Sequence, residues 1–332
     1  MKNKKQRFFK KHEVKIKILA FFVVCQLVFV PFFSFILVYY GPFSSMRDIL
    51  VSTAMKTMNH KYIATWFLSD KKINEILERT KISEQIEDTN LEDIIISKDN
   101  LSGLDIIDIK KKSFSGKLMT INDPSRVKLG VALKLGQEGS TLSQIVKNEN
   151  AVAGVNAGGF DDTGTGTGGG LFGLIIKDGE ILCAKTDGNS GMLKSVIGLN
   201  YENKLVIKSN VSISQIGTLN LRDAISFGPA LVINGQRCIE STRVGDGYHP
   251  RTAIAQRKDG TVLLLVIDGR GAGGSFGCTY YDIQEIFMEH GAYNAANLDG
   301  GSSATMYFNG KVANTPSDIM GERSIPNAFI VS

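Results

Sequence analysis

From Leu104 to Ser332 the apolar residues come in short runs, many of them closed by glycine, proline, asparagine or aspartate. Runs this short leave little room for long helices and favour strands joined by turns. Strands are expected at Leu104–Ile109, Gly116–Ile121, Val127–Leu133, Ala151–Asn156, Leu171–Ile176, Val196–Leu199, Lys204–Lys208, Ala230–Ile233, Arg251–Gln256 and Leu263–Ile267. Few helices interrupt them. Thr141 can cap a short one reaching Lys147, and Leu219–Ser226 reads as a helical turn. The best-marked helix has Thr279 as cap and Asp282 at the capping-box position. Ile283, Ile286, Phe287 and His290 share one of its faces, and Gly291 stops it. The expected class is α+β, with mixed β-sheets and few helices in the globular part.

The N-terminal third reads differently. Eight basic side chains before residue 18 face only Glu13, so the net charge of +5 describes a tail and gives no reason to expect nucleic acid as a partner. Ile18–Tyr40 is almost wholly apolar and exceeds the roughly 20 residues that span a bilayer as a helix. It is longer than a signal-peptide core and ends in Tyr39-Tyr40-Gly41-Pro42, a poor cleavage site. These features predict an uncleaved single-pass signal anchor at 18–40, a cytoplasmic tail at 1–17 and an extracytoplasmic globular part. Residues 41–100 are expected to form a juxtamembrane helical stalk, lying in part on the membrane surface from Ser45 to about Lys81, and an acidic, solvated linker between Thr80 and Asn100. The main domain is then expected at 101–332.

Cysteine and glycine exclude several chemistries. Outside the apolar run, Cys183, Cys238 and Cys278 are an odd set without a C-x-x-C pair, which argues against a Cys/His zinc site. Buried thiols are expected, with a Cys238–Cys278 bridge as the alternative. Gly164-Thr165-Gly166-Thr167-Gly168-Gly169 matches G-x-G-x-x-G, but a β-like run follows it where a dinucleotide fingerprint must open a helix. This glycine-rich segment is read as a flexible rim. No cofactor is implied. Oxygen ligation of Ca²⁺ by Asp161, Asp162 and Asp299 is open, without EF-hand spacing.

Asn297-Leu298-Asp299-Gly300-Gly301-Ser302-Ser303-Ala304-Thr305-Met306 places one carboxylate at a strand end. The glycines beside it let a ligand approach the backbone, and Ser302, Ser303 and Thr305 add hydroxyls. The plainer alternative is a tight turn capped by its own aspartate. Four further stretches bear on the choice: Gly154-Val155-Asn156-Ala157-Gly158-Gly159-Phe160, His249-Pro250-Arg251-Thr252, Val266-Ile267-Asp268-Gly269-Arg270 and Glu322-Arg323-Ser324-Ile325-Pro326-Asn327. In this order the set resembles the phosphodiester glycosidase family from about Ile106 to Ser332. The segment before it is similar to membrane-anchored, exopolysaccharide-related bacterial members.

That resemblance implies hydrolysis of a sugar-1-phosphodiester, with a glycan or glycosyl phosphate as partner. The departing phosphate is a stable anion, so strong acid assistance is less necessary than with an alkyl glycoside. Asp299 is expected as nucleophile, base or electrostatic stabiliser, and Asp268 as the second carboxylate. Arg251, and secondarily Arg270, are expected on phosphate. Asn156 and the Gly300, Gly301 and Ser302 amides are expected on hydroxyls or phosphate. Glu322 and Arg323 can equally form an ion pair beside the last strand. A binding or assembly module that keeps the same cleft, and a phosphodiesterase that cuts P–O, are the rival readings.

Overall fold

A computed structural model describes residues 2–57, 60–79, 88–96, 102–161, 166–186, 191–239, 247–269, 275–318 and 320–332. The chain divides into two compact units, Met1–Lys81 and Ile82–Ser332.

The first unit is helical. Helix α1 (Lys2–Tyr40) is followed by α2 (Ser44–Met55), α3 (Tyr62–Thr65) and α4 (Asp70–Arg79). Tyr39, Val51, Ala54, Ala64, Ile73 and Ile76 form its small core. Arg79 donates to both oxygens of Asp48, at 2.8 and 2.7 Å, and so ties α4 to α2. Among the described residues no helix is long and apolar enough to cross a membrane. The crossing expected at Ile18–Tyr40 is therefore not shown.

The second unit is built from three sheets, and every strand pairing among the described residues is antiparallel. This corrects the expectation of mixed sheets; the α+β class holds. The seven-stranded sheet runs, in spatial order, Leu104–Lys110, Ser115–Ile121, Val262–Ile267, Arg251–Arg257, Ala292–Leu298, Ala230–Ile233 and Gln236–Arg237. A five-stranded sheet runs Lys311–Val312, Met306–Phe308, Ala153–Asn156, Asn327–Val331 and Val127–Val131. The third runs Glu180–Ala184, Leu174–Lys177, Leu221–Ser226, Met192–Asn200 and Leu205–Ser212.

Side-chain alternation explains how one sequence serves two faces. In Val262–Ile267, Val262, Leu264 and Val266 enter the core shared by the three sheets. Leu263, Leu265 and Ile267 turn the other way, onto Ile283, Ile286 and Phe287 of α6 (Tyr280–Glu289). Both faces are covered, so the strand is apolar throughout. Helix α6 carries the expected capping box between Thr279 and Asp282. Helix α5 (Leu142–Asn148) is capped by Thr141 and Gln144 and lies against Tyr307, Ala328 and Ile330.

Two local readings change. Leu221–Ser226 is a strand and not a helical turn, because it sits between Leu174–Lys177 and Met192–Asn200 and pairs with both. Residues 88–96 are also no solvated linker. Asp88 pairs with Lys208, the Tyr293 hydroxyl donates to Asp93, and Ile94 is buried. Asp88 and Asp93, two of the acids that point to solvent, are contacts along the globular unit, and residues 80–87 and 97–100 of the expected linker lie outside the described residues. Cys183, Cys238 and Cys278 are buried free thiols.

Of the glycine-rich segment expected as a flexible rim, residues 162–165 lie outside the described residues, a Cβ on Gly166 would meet open space, and residues 168–170 are a packed strip. A Cβ on Gly168 would lie 2.1 Å from the Ser324 carbonyl oxygen, and one on Gly170 would lie 1.7 Å from that of Asp161. Gly168 also has a φ of +66°, which favours glycine. Gly168→Ala is expected to cost roughly 2–4 kcal/mol, since rigid backbone must move to admit the methyl group. Denaturant unfolding of the full chain checks this, and unchanged stability would show that the strip can yield.

Candidate active site

The site lies where three chain segments leave their strands side by side. Ala153–Asn156 runs out at Ala157, whose carbonyl accepts from the Asp299 amide at 2.8 Å and whose amide donates to the Asn327 carbonyl at 3.3 Å. The central segment thus carries the end of Ala292–Leu298 on one side and the start of Asn327–Val331 on the other.

Asp299 is partly open to solvent and yet densely surrounded by protein. That combination describes an acid in a recess. Burial pushes its carboxyl up to about 6, against the opposing pull of the Ser303 hydroxyl, the Gly300 amide and the Arg323 charge. Arg323 donates to the Ser302 hydroxyl at 3.1 Å, and its guanidinium carbon lies 4.7 Å from the centre of the Phe160 ring. Both neighbours of Arg323 are fixed. Glu322 accepts from the amide (2.9 Å) and hydroxyl of Ser143 in the first turn of α5. Ser324 is packed against Gly168, and Ile325 pairs with Ser140. The sequence alone left Glu322 and Arg323 as a possible ion pair; instead the acid holds α5 and the cation acts on Asp299.

The other expected site residues separate into supports and outliers. Asn156 donates to the Asp299 main-chain carbonyl at 2.6 Å and accepts from the Thr252 hydroxyl (2.6 Å) and the Thr305 amide (3.1 Å). It braces the turn from beneath, with its carbonyl oxygen and one N–H engaged there. The Gly301 amide donates to the Pro250 carbonyl at 2.8 Å, and the Ser303 amide closes a single turn onto Gly300. Of the amides expected on ligand, that of Gly301 is thus taken up by Pro250, and that of Gly300 faces the Asp299 carboxyl. Gly300 is needed for close approach, because a Cβ there would lie 2.7 Å from the Pro250 oxygen.

Arg251 begins the strand beside Asp299, and its main chain lies against Gly300. Its guanidinium, however, donates to the carbonyls of Cys278 and Gly247, both at 3.2 Å, and lies 3.9 Å from the Tyr280 ring centre. It fastens the start of α6. The Asp268 carboxylate accepts from the Ser115 hydroxyl at 2.6 Å and the Thr315 amide at 3.0 Å, so both of its oxygens hold neighbouring chain. Arg270 and Asp162 lie outside the described residues. Among the described residues no group of three or more His, Cys, Asp or Glu side chains is placed to hold a metal ion.

Two asparagines escaped the sequence reading. Asn327 accepts from the Gly158 amide at 2.6 Å, and Asn297 donates to the Gly228 carbonyl at 2.9 Å. Both are buried at strand ends that flank Asp299. The available signal was a polar side chain inside an otherwise apolar strand, where backbone must be satisfied.

A family model described as phosphodiester glycosidase matches residues 149–332. Over 197 residues the chain is 32% identical to the SPbeta prophage-derived uncharacterized protein YomE of Bacillus subtilis, covering 58% of this chain and 29% of that protein. Over 68 residues it is 38% identical to N-acetylglucosamine-1-phosphodiester alpha-N-acetylglucosaminidase of Bos taurus, covering 20% of this chain and 12% of that enzyme. The chain therefore spans less than a third of the length of these relatives. The catalytic domain of the zebrafish enzyme of that name, in a form auto-inhibited by its pro-peptide, shares the fold. The TM-score is 0.56 at 23% identity, over 71% of this chain and 86% of that one.

Proposed function

We propose that this chain, which belongs to the phosphodiester glycosidase family, hydrolyses a sugar-1-phosphodiester in a cell-envelope or exopolysaccharide glycan. One observation carries the reading: a recessed carboxyl with its titration raised to about 6 shares its surroundings with the Arg323 guanidinium and the Ser302–Ser303 hydroxyls. Breaking the bond between the anomeric carbon and oxygen places positive charge on the sugar and negative charge on the departing phosphate. Asp299, ionised above about pH 6, answers the first charge, and Arg323 answers the second through its planar fork. We therefore assign phosphate to Arg323 in place of Arg251. Asp268, Asn156 and Arg251 are assigned to holding the strand ends in register.

The assay that tests this reading supplies the full chain with an N-acetylglucosamine-1-phosphodiester and with purified envelope glycans. Release of a free reducing sugar with a phosphate monoester is expected. Binding without turnover of any of them would favour the non-catalytic module.

Residues 18–40 are proposed as the membrane anchor, with the basic tail in the cytoplasm and the catalytic unit outside. Their support is the apolar run itself and the positive charges before it. A reporter fused after Ser332 is expected to be active only outside the cytoplasm. Cytoplasmic activity would reverse the orientation.

A further inference from the structure

The helical unit holds a feature that the catalytic reading does not use. Phe67 stacks on α1, with its ring centre 5.7 Å from that of Phe35 and 4.6 Å from that of Tyr39. The Tyr40 hydroxyl donates to the Phe67 carbonyl, and the Tyr39 hydroxyl donates to that of Ile63. These contacts fix residues 63–67 at the level of the last turn and a half of α1. The next side chain, Trp66, points outward. It is 76% exposed, and its ring lies 5.1 Å from that of Tyr62, itself 44% exposed. Tyr40 and Phe43 are exposed as well, and the exposed Lys61 adjoins Tyr62. Residues 41–68 carry three basic side chains, Arg47, Lys56 and Lys61, against the single acid Asp48.

Aromatic side chains with a polar edge concentrate where hydrocarbon gives way to headgroups, and lysines beside them favour anionic lipid. The small core of α2, α3 and α4 does not need Trp66, which lies outside it. An indole left in water beside the end of an apolar helix is instead matched to the edge of a bilayer.

We propose that the Tyr62–Trp66 face of the helical unit is a lipid-interface surface that lies in the headgroup layer of an anionic membrane. The unit would then be a collar seated on the bilayer, with the Tyr62–Trp66 face as the part that meets the headgroups. This inference rests on the anchor reading at residues 18–40, and its test separates the two.

Trp66 is the chain's single tryptophan, so its fluorescence reports this position alone. The full chain is reconstituted into vesicles of phosphatidylcholine and phosphatidylglycerol, with bromine either near the headgroup or near the chain ends. The vesicles are first floated on a density gradient. Emission shifted to the blue is expected, with quenching about twice as strong from the shallow bromines as from the deep ones. Chain that floats while Trp66 stays unquenched overturns the collar and leaves the anchor standing. Quenching that is stronger from the deep bromines also overturns it, because the indole would then sit in hydrocarbon. Chain that fails to float overturns anchor and collar together.

Discussion

Asp299→Asn is expected to lower kcat by at least about a thousandfold while making the folded chain more stable above about pH 6. The two effects share one cause. In the fold the carboxyl titrates near 6, above its ordinary value, so the folded state holds a proton that the unfolded chain releases. The stability contributed by the neutral form is complete below the ordinary carboxylate range and is lost as pH rises through about 6. At higher pH the wild-type chain keeps a charge in a recess that resists it, and asparagine carries no such charge. Moving the carboxyl from its ordinary range to about 6 corresponds to about 3 kcal/mol at most, and the acid's partial access to solvent lowers this to about 1–2 kcal/mol. Unfolding curves near pH 8 and near pH 4 check the sign: the variant gains at the first and matches wild type at the second. Asp268→Asn serves as the control. It breaks a structural hydrogen bond to Ser115 or Thr315 and should cost roughly 1–3 kcal/mol at both pH values, with kcat largely retained. If Asp268→Asn instead matched Asp299→Asn in lost turnover, Asp268 would be the second catalytic carboxylate after all.

The second large effect belongs to Arg323. Replacement by methionine removes both the expected phosphate contact and a charge that favours ionised Asp299. A fall in kcat/KM of about a hundredfold to a thousandfold is expected. The acid limb of the pH–rate profile, which in the wild type should rise through about 6, should also move to higher pH. Arg323→Lys keeps the charge but loses the planar fork. Its rate should fall while its acid limb stays near the wild-type position. A methionine variant with an unmoved limb would mean that Arg323 does not act on the reacting carboxyl. The same change at Arg251, which fastens Gly247, Cys278 and Tyr280, should appear chiefly as lost stability.

The difference between the two arginines shows how far the sequence could be read. Asp299 stood out because an acid beside two glycines at a strand end suits a ligand site; the same pattern suits a self-capped turn, and the other family motifs tipped the choice. The α6 helix was visible because its capping box and apolar face are local. Strands that pair with distant partners, such as Leu221–Ser226, were less so, because their neighbours and not their own residues decide their conformation. Side-chain direction was not visible at all. Arg251 stands beside Asp299 in main chain and points its charge elsewhere, whereas Arg323 follows Asp299 by many residues and is brought back by Glu322 on α5 and Ser324 against Gly168. The end of the glycine-rich segment misled for a related reason. Glycine marks both loops that move and backbones packed too closely for a Cβ, and residues 168–170 are the second kind.

The central claim is that Asp299 and Arg323 form one site that breaks the bond from the anomeric carbon to oxygen. Hydrolysis in water enriched in the heavy oxygen isotope tests it most directly, with mass spectrometry of both products after one turnover. The label is predicted in the released sugar and not in the phosphate monoester. Label in the phosphate would mean that the P–O bond is cut, with Asp299 then answering no charge on the sugar and Arg323 no departing phosphate.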